Sequence, residues 1–156
     1  RTLEGAIADV RERHPALAGA TGVVAMGGGA GGSFWVFGPQ DSRTRFLYEL
    51  GLRLSPAIAP LTDDRFVATI SGERFDLLEA DVLLWIGSSD QRAEVESHPV
   101  YRQLDVVRQG RVIHIDSDGL LTAAMTNTSA LNLPYLLEEL VPRIVDAVEG
   151  QADPIP

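Results

Sequence analysis

The chain contains no cysteine. That excludes disulfides, thiolate nucleophiles and zinc–thiolate sites. It leaves the compartment open, since many exported bacterial proteins also lack cysteine. Lysine is missing as well, so all 13 basic residues are arginine. We read this as the bias of a GC-rich coding sequence; each guanidinium still keeps its charge and planar fork for an anionic ligand. Positive charge is scarce overall: 22 acidic residues leave a formal net charge of −9. With no local basic patch to offset it, the chain repels nucleic acid and anionic membrane surfaces. No apolar run reaches the ~20 residues needed to span a bilayer. Residues 1–14 are charged and periodic, unlike a basic-then-apolar secretory leader, so the sequence reads as a processed or trimmed piece.

What remains is an ordinary globular composition, 45% apolar and 22% charged, in 156 residues. That is enough for one α/β domain with its own core. Residues 1–17 read as a helix, with Leu3, Ile7 and Val10 at helical spacing and Pro15 and Gly19 marking its exit. A buried strand over 21–26, a flexible glycine-rich loop over 27–32 and a short aromatic strand over 33–37 follow. Gly38 and Pro39 make a turn, and Asp41 or Ser42 caps a helix over 43–52. Residues 53–64 read as loop, 65–70 as extended, and 72–80 as a helix capped by Ser71. Then come a strongly apolar strand over 82–86, a polar loop over 87–91, one or two short helices over 93–104 interrupted at Pro99, and a strand over 111–115. Residues 116–128 read as loop or a short irregular helix. The last helix, 133–148, carries Pro134 in its first turn and is expected to kink or split at Pro142; 151–156 read as a frayed tail. Short apolar strands alternating with helices imply a largely parallel sheet covered on both faces.

Several features could carry chemistry, and each has a plainer explanation. Gly27, Gly29 and Gly32 satisfy G-x-G-x-x-G after a strand. The dinucleotide fingerprint also needs a helix opening at the last glycine, so that its N–H groups face the pyrophosphate, and an acidic residue about 20 positions on. Here Phe34, Trp35, Val36 and Phe37 favour a strand instead, and Glu49 falls inside the next helix. The run therefore reads first as a surface loop, with a small nucleotide-binding enzyme as the alternative. His14, His98 and His114 lack the tight spacing that gives two ligands from one element, so no metal site is expected. Ser71, Ser88 and Ser129 stand near helix starts, where serine is an ordinary cap, and no G-x-S-x-G suggests a hydrolase triad. None of the acidic residues stands in an apolar setting that would raise its pKa for acid–base work. Trp35, Trp85, Phe34, Phe37 and Phe66 are aromatics that could face a ligand, although an aromatic in a strand, Trp85 above all, reads first as core. Arg65 and Asp118 sit in loops beside strands and read as surface unless the fold brings them to a cleft.

Four segments, in order, carry a resemblance. Val36-Phe-Gly-Pro39 is followed by a helix ending Leu50-Gly-Leu52. Ile70-Ser-Gly-Glu-Arg-Phe-Asp-Leu-Leu-Glu-Ala-Asp-Val-Leu-Leu-Trp85 combines Ser-x-Glu, a Leu-Leu pair, and Ala-Asp-Val leading into a buried strand. His98-Pro-Val-Tyr-Arg-Gln-Leu104 forms a P-x-W/Y-x-x-L helix. Val107-Arg-Gln-Gly-Arg-Val112 leads to Asp116. Over residues 23–148 this succession resembles the C-terminal lobe of the class III substrate-binding proteins of iron-siderophore, haem and cobalamin ABC importers.

The resemblance implies a Rossmann-like three-layer α/β/α lobe with a mostly parallel central sheet. Residues 1–19 would be the end of a long inter-lobe helix, 20–150 the lobe, and 151–156 a tail. An N-terminal lobe would be missing from this chain, and ligand would bind in the cleft between the two. It implies no enzyme and no covalent cofactor. The cargo would be a ferric siderophore, alternatively haem or cobalamin, delivered to a membrane permease. The full-length protein would work in the periplasm or, lipid-anchored, at the outer face of the cytoplasmic membrane. By position, Glu73 matches a glutamate that docks into arginine pockets of the permease. Trp35, Arg65, Phe66, Ser88, Asp118, Leu120 and Leu121 match or border ligand-facing positions. Many relatives carry an aromatic just after the position of Asp118, where this chain has Gly119, Leu120 and Leu121. Arg65 would suit the carboxylate or catecholate oxygens of an anionic iron chelate, and equally a haem propionate. A third reading, an isolated lobe that self-associates, predicts an exposed apolar face where the other lobe would sit.

Overall fold

The computed structural model describes residues 2–28, 32–63, 65–127, 129 and 131–150; the expected tail, 151–156, and the middle of the glycine run, 29–31, lie outside them. Helix α1 spans Leu3–Arg13 and is capped by Thr2, whose Oγ1 accepts from the Gly5 N–H at 3.0 Å. It ends short of the expected 17. His14 precedes a proline, which disfavours helical backbone, and it takes φ −130°, ψ 70°. Pro15–Leu17 follows as one 3-10 turn that buries Leu17 completely.

Strand β1 (Thr21–Met26) is followed by β2 (Phe34–Phe37), its antiparallel neighbour, with Met26 opposite Trp35. Helix α2 (Ser42–Glu49) starts from Asp41, whose carboxylate accepts from the Arg43 N–H at 3.0 Å. Two residues of β3 (Arg53–Leu54) pair beside the start of β1, then α3 (Ala59–Thr62) leads to β4 (Val67–Ile70), antiparallel to β2. Next come a 3-10 turn at Phe75–Leu78 and β5 (Val82–Gly87), parallel to β1 and buried at every position. Helices α4 (Ser89–Glu96), α5 (Pro99–Gln103) and α6 (Asp105–Arg108) return the chain to β6 (Val112–Asp116), parallel to β5. Helices α7 (Leu120–Thr126), α8 (Leu133–Glu139) and α9 (Val141–Val148) complete it. The sheet order is β4–β2–β1–β5–β6, with β3 on β1, and β2 is the reversed strand. The expected mostly parallel sheet is therefore what forms.

Both faces of the sheet are covered, which is why β1 and β5 are nearly continuous apolar runs. On one face Val24, Ile86 and Ile113 pack with residues of α1, α2 and α7–α9, including Phe46, Met125 and Ile144. On the other, Val23, Phe34, Leu83 and Trp85 pack with Phe75, Val95, Tyr101 and Val106 from the 3-10 turn and α4–α6. This is the expected three-layer α/β/α arrangement.

Local differences have local causes. The helix expected over 72–80 is only the 3-10 turn. Phe75 and Leu78 eclipse one another at i, i+3 and both are buried. Asp81 is drawn away to the start of β1, where its Oδ2 accepts from the Thr21 N–H at 2.8 Å and hydroxyl at 3.2 Å. The 53–64 stretch, expected as loop, holds β3 and α3 because Leu54 and Ile58 reach the core. Glu79 takes both α6 N-terminal amides, accepting from Asp105 at 2.8 Å and Val106 at 2.7 Å. The last helix splits at Leu140, two residues before Pro142, as expected for a residue that cannot donate to the helical ladder.

Candidate functional site

Strands β1, β5 and β6 all end on the same edge of the sheet. From there the chain turns back from β1 into the antiparallel β2 within the sheet, and leaves β5 into α4, which packs on the face that carries Phe34 and Trp85. The region outside the carboxyl ends of the strands is the usual ligand position in open α/β sheets. A cavity of about 320 Å³ lies there, between the turn after β1, the segment 71–75 after β4, and α4 with the start of α5.

Its floor is an aromatic cluster. Phe75 stacks on Phe34 with ring centroids 5.0 Å apart and planes 6° apart, and meets the His98 ring edge-on at 4.6 Å. Trp85 leans against both phenylalanines and against Tyr101. Glycine matters at two points of the rim. A Cβ on Gly27 would sit 2.8 Å from the Trp85 ring, and one on Gly72 would sit 2.5 Å from the Gly32 carbonyl oxygen. Neither place has room for a side chain, so the glycines let the post-β1 turn close down on the indole and on the segment after β4. Beside them Ser88 and Gln91 form a capping box. The Ser88 Oγ accepts from the Gln91 N–H at 3.2 Å, and the Gln91 Oε1 accepts from the Ser88 N–H at 2.8 Å.

Several buried polar atoms around this cluster lack a hydrogen-bond partner: Trp85 Nε1, His98 Nδ1 and the Tyr101 hydroxyl. Burial also pushes the Tyr101 hydroxyl's pKa upward, with Glu96 adding to it. On the neighbouring strand His114 is held down to about 4, first by burial and then by the Arg92 charge, against the opposing pull of Glu96 at 3.8 Å. Among the described residues no group of three or more His, Asp or Glu is placed to hold a metal ion.

The residues singled out from sequence separate into two groups. Ser88, Asp118, Leu120 and Leu121 all follow β5 or β6 and stand at the carboxyl edge. Leu120 is 74% exposed at the first turn of α7, while Leu121 packs inward. Glu73 is exposed on the cavity rim, its N–H donating to Ser71 Oγ at 3.3 Å. No full helix follows it, only the 3-10 turn at Phe75–Leu78. Trp35 is half-buried beside Met26, on the sheet face that carries Phe37 rather than the face that carries Phe34. Arg65 and Phe66 are exposed but precede β4, which runs parallel to β1. They therefore lie at the opposite end of that strand, about 15 Å from the cavity edge at ~3.3 Å per residue. The helix that a dinucleotide site would need after Gly32 is replaced by β2, which removes the geometric basis for the nucleotide alternative.

Sequence reasoning did not single out Phe75, Gln91 or Glu94, which line the cavity, and it weighed His98 as a metal candidate and as part of a family motif, not as a cavity residue. One available signal was the pairing of side-chain-free positions, Gly27 and Gly87, with the bulky Trp85.

Residues 1–119 match the family model described as Periplasmic binding protein. The fold is similar to that of PiaA from Streptococcus pneumoniae in complex with ferrichrome, with a TM-score of 0.77 and 24% identity over 94% of this chain and 50% of that one. It is similar to a periplasmic solute binding protein from Mycobacterium smegmatis (TM-score 0.73, 24% identity, 93% and 48% covered). It is also similar to FhuD2 from Staphylococcus aureus with bound ferrioxamine B (TM-score 0.72, 17% identity, 93% and 55% covered). The chain thus spans about half the length of these proteins. No curated protein matches its sequence.

Proposed function

The chain belongs to the periplasmic binding protein family, and from that premise we propose that it is the C-terminal lobe of the substrate-binding component of an ABC importer. With a second lobe it would close on a ferric siderophore and hand it to a membrane permease. The observation that most supports this is the cavity bounded by the turn after β1, the segment after β4 and α4, beside the carboxyl ends of the strands. PiaA and FhuD2, whose structures hold ferrichrome and ferrioxamine B, share the fold. Haem and cobalamin are the alternative cargoes.

In this reading residues 1–19 end the helix that joins the lobes and 20–150 form the lobe. A connecting helix limits the hinge, so closure is modest. The carboxyl edge, with Ser88, Asp118, Leu120, Leu121 and, across the sheet, Trp35, faces the ligand. Arg65 and Phe66 fall outside that surface, and with Arg65 goes the argument for an anionic chelate. Glu73 stands exposed on the rim, where a permease arginine could reach it. The mechanism is passive: no bond is made or broken. The site of action is the cell envelope, in the periplasm or, lipid-anchored in the full-length protein, at the outer face of the cytoplasmic membrane.

The test is tryptophan-fluorescence titration of the two-lobe protein with ferrichrome, ferrioxamine B, haem, cobalamin and NAD, repeated in Trp35→Phe and Trp85→Phe. Saturable quenching by a ferric siderophore, lost selectively with one of the two indoles, is expected. Quenching by NAD alone sinks the proposal.

A further inference from the structure

We propose that the groove between α7 and α8 holds a flexible aliphatic arm of the bound chelate, such as a medium-length acyl chain, while the iron centre sits at the carboxyl edge of the sheet. This rests on the siderophore reading and narrows it to chelates that carry an apolar arm.

Surface chemistry is the first argument. The stretch from Gly119 to Leu137 contains no charged residue, in a chain that is 22% charged. In β1 or β5 an uncharged stretch is core, but here it forms surface helices. Leu120 at 74% and Leu131 at 91% are the most exposed large apolar side chains among the described residues, and Tyr135 is exposed as well. Contiguous exposed apolar surface marks a binding site. Shape is the second argument. A cavity of about 340 Å³ lies along this surface, lined by Leu120, Ala123, Ala124, Asn127, Asn132 and Tyr135. Its polar side chains are two carboxamides and a phenol, and no carboxylate or guanidinium lines it.

Position names the occupant. Leu120 opens α7 four residues after β6 ends at Asp116, so the groove begins at the carboxyl edge, where the proposed ligand sits. Positions 120, 123, 124 and 127 share one face of α7, and the groove follows that face for about 10 Å, at ~1.5 Å per residue. At its far end Asn132 Nδ2 donates to the Asn127 carbonyl oxygen at 2.6 Å and ties α8 to α7. A narrow strip of that length fits a single chain of methylenes. A second copy of this protein fits it less well: the six lining residues fall far short of the roughly 20–30 a side in a standard protein interface.

The experiment uses the two-lobe protein and two chelates that share one iron centre and have no charged end, N-acetyl and N-octanoyl ferrioxamine B. Affinities are read by fluorescence quenching, at chelate concentrations too low for micelles, in wild type, Ala123→Glu and Tyr135→Ser. Each buried methylene strengthens binding, but an open groove buries only part of the chain, so the expected preference for the octanoyl chelate is about tenfold. It falls to near unity in Ala123→Glu, which sets a carboxylate in the groove, and to about threefold in Tyr135→Ser, which removes one wall. Both positions are exposed, and an unchanged thermal melt checks that the variants are folded. Equal affinities in wild type, or a preference that survives both substitutions, overturn the inference and leave the importer reading standing. Sedimentation showing a dimer that Ala123→Glu dissociates also overturns it, by giving the groove to a second copy. Failure to bind either chelate or ferrichrome overturns both.

Discussion

Phe75 is where the cavity and the stability of the lobe meet, and its replacement has a calculable outcome. The ring is 5% exposed and stacked on Phe34 at 5.0 Å. Truncating such a residue to alanine costs about 3–5 kcal/mol, from lost transfer energy plus the cavity left behind. Leucine keeps most of the buried apolar volume and loses the ring–ring geometry, worth about 0.5–1.5 kcal/mol beyond area burial. A domain of this kind has only ~5–15 kcal/mol in total, so the alanine variant stays folded in buffer with little reserve. With a urea slope of about 2 kcal/mol per molar, the midpoint falls by about 2 M for Phe75→Ala and by about 0.5 M for Phe75→Leu. Far-ultraviolet circular dichroism is the appropriate readout, because Trp85 lies 6.4 Å from the Phe75 ring and its fluorescence would change with the local packing. If alanine costs no more than leucine, or both less than about 1 kcal/mol, the aromatic cluster does not hold this part of the lobe together.

His114 gives the lobe an acid-sensitive stability. Its folded pKa, about 4, lies below the ordinary 6.5, so as pH falls the unfolded chain takes up the proton first. Stability present above about pH 6.5 is therefore lost between pH 6.5 and 4, at up to ~1.4 kcal/mol per pH unit. His114→Gln flattens that slope in urea titrations at several pH values; an unchanged slope contradicts the assignment. Ser88→Ala removes the α4 cap and costs about 1 kcal/mol, with faster amide exchange at Gln91; unaltered exchange there contradicts the capping box. Asp81→Ala leaves the Thr21 N–H and hydroxyl without their acceptor and costs about 1–3 kcal/mol, read as a lower thermal midpoint; no shift means that water replaces the carboxylate at no cost.

The strands were legible because their signal is local. Residues 82–86 are apolar throughout since both faces are covered, and Phe34, Trp35, Val36 and Phe37 favour a strand on their own account. Pro15 and Pro142 each mark a real break, although Pro15 ended the helix earlier than expected. What the chain does not reveal locally is direction. Arg65 and Phe66 belong to the extended segment expected before Ser71, yet which end of that strand faces the ligand depends on its pairing with β2. The helix expected after Ser71 gave way to a 3-10 turn because Phe75, Leu78 and Asp81 answer to partners on other elements. The cavity itself was hidden for the same reason. Gly27, Phe75, Gln91 and Glu94 come from separate segments, and only the sheet order puts them together.

The central claim is that the ligand meets this lobe at the carboxyl edge of its sheet. Hydrogen–deuterium exchange of the two-lobe protein, with and without a saturating ferric siderophore, tests it most directly. The account predicts ligand-dependent protection at the amides around Gly27 and Gly28, at 71–75 and at 116–121, with none at 63–67. Protection confined to 63–67, the end of β4 that carries Arg65 and Phe66, would contradict it.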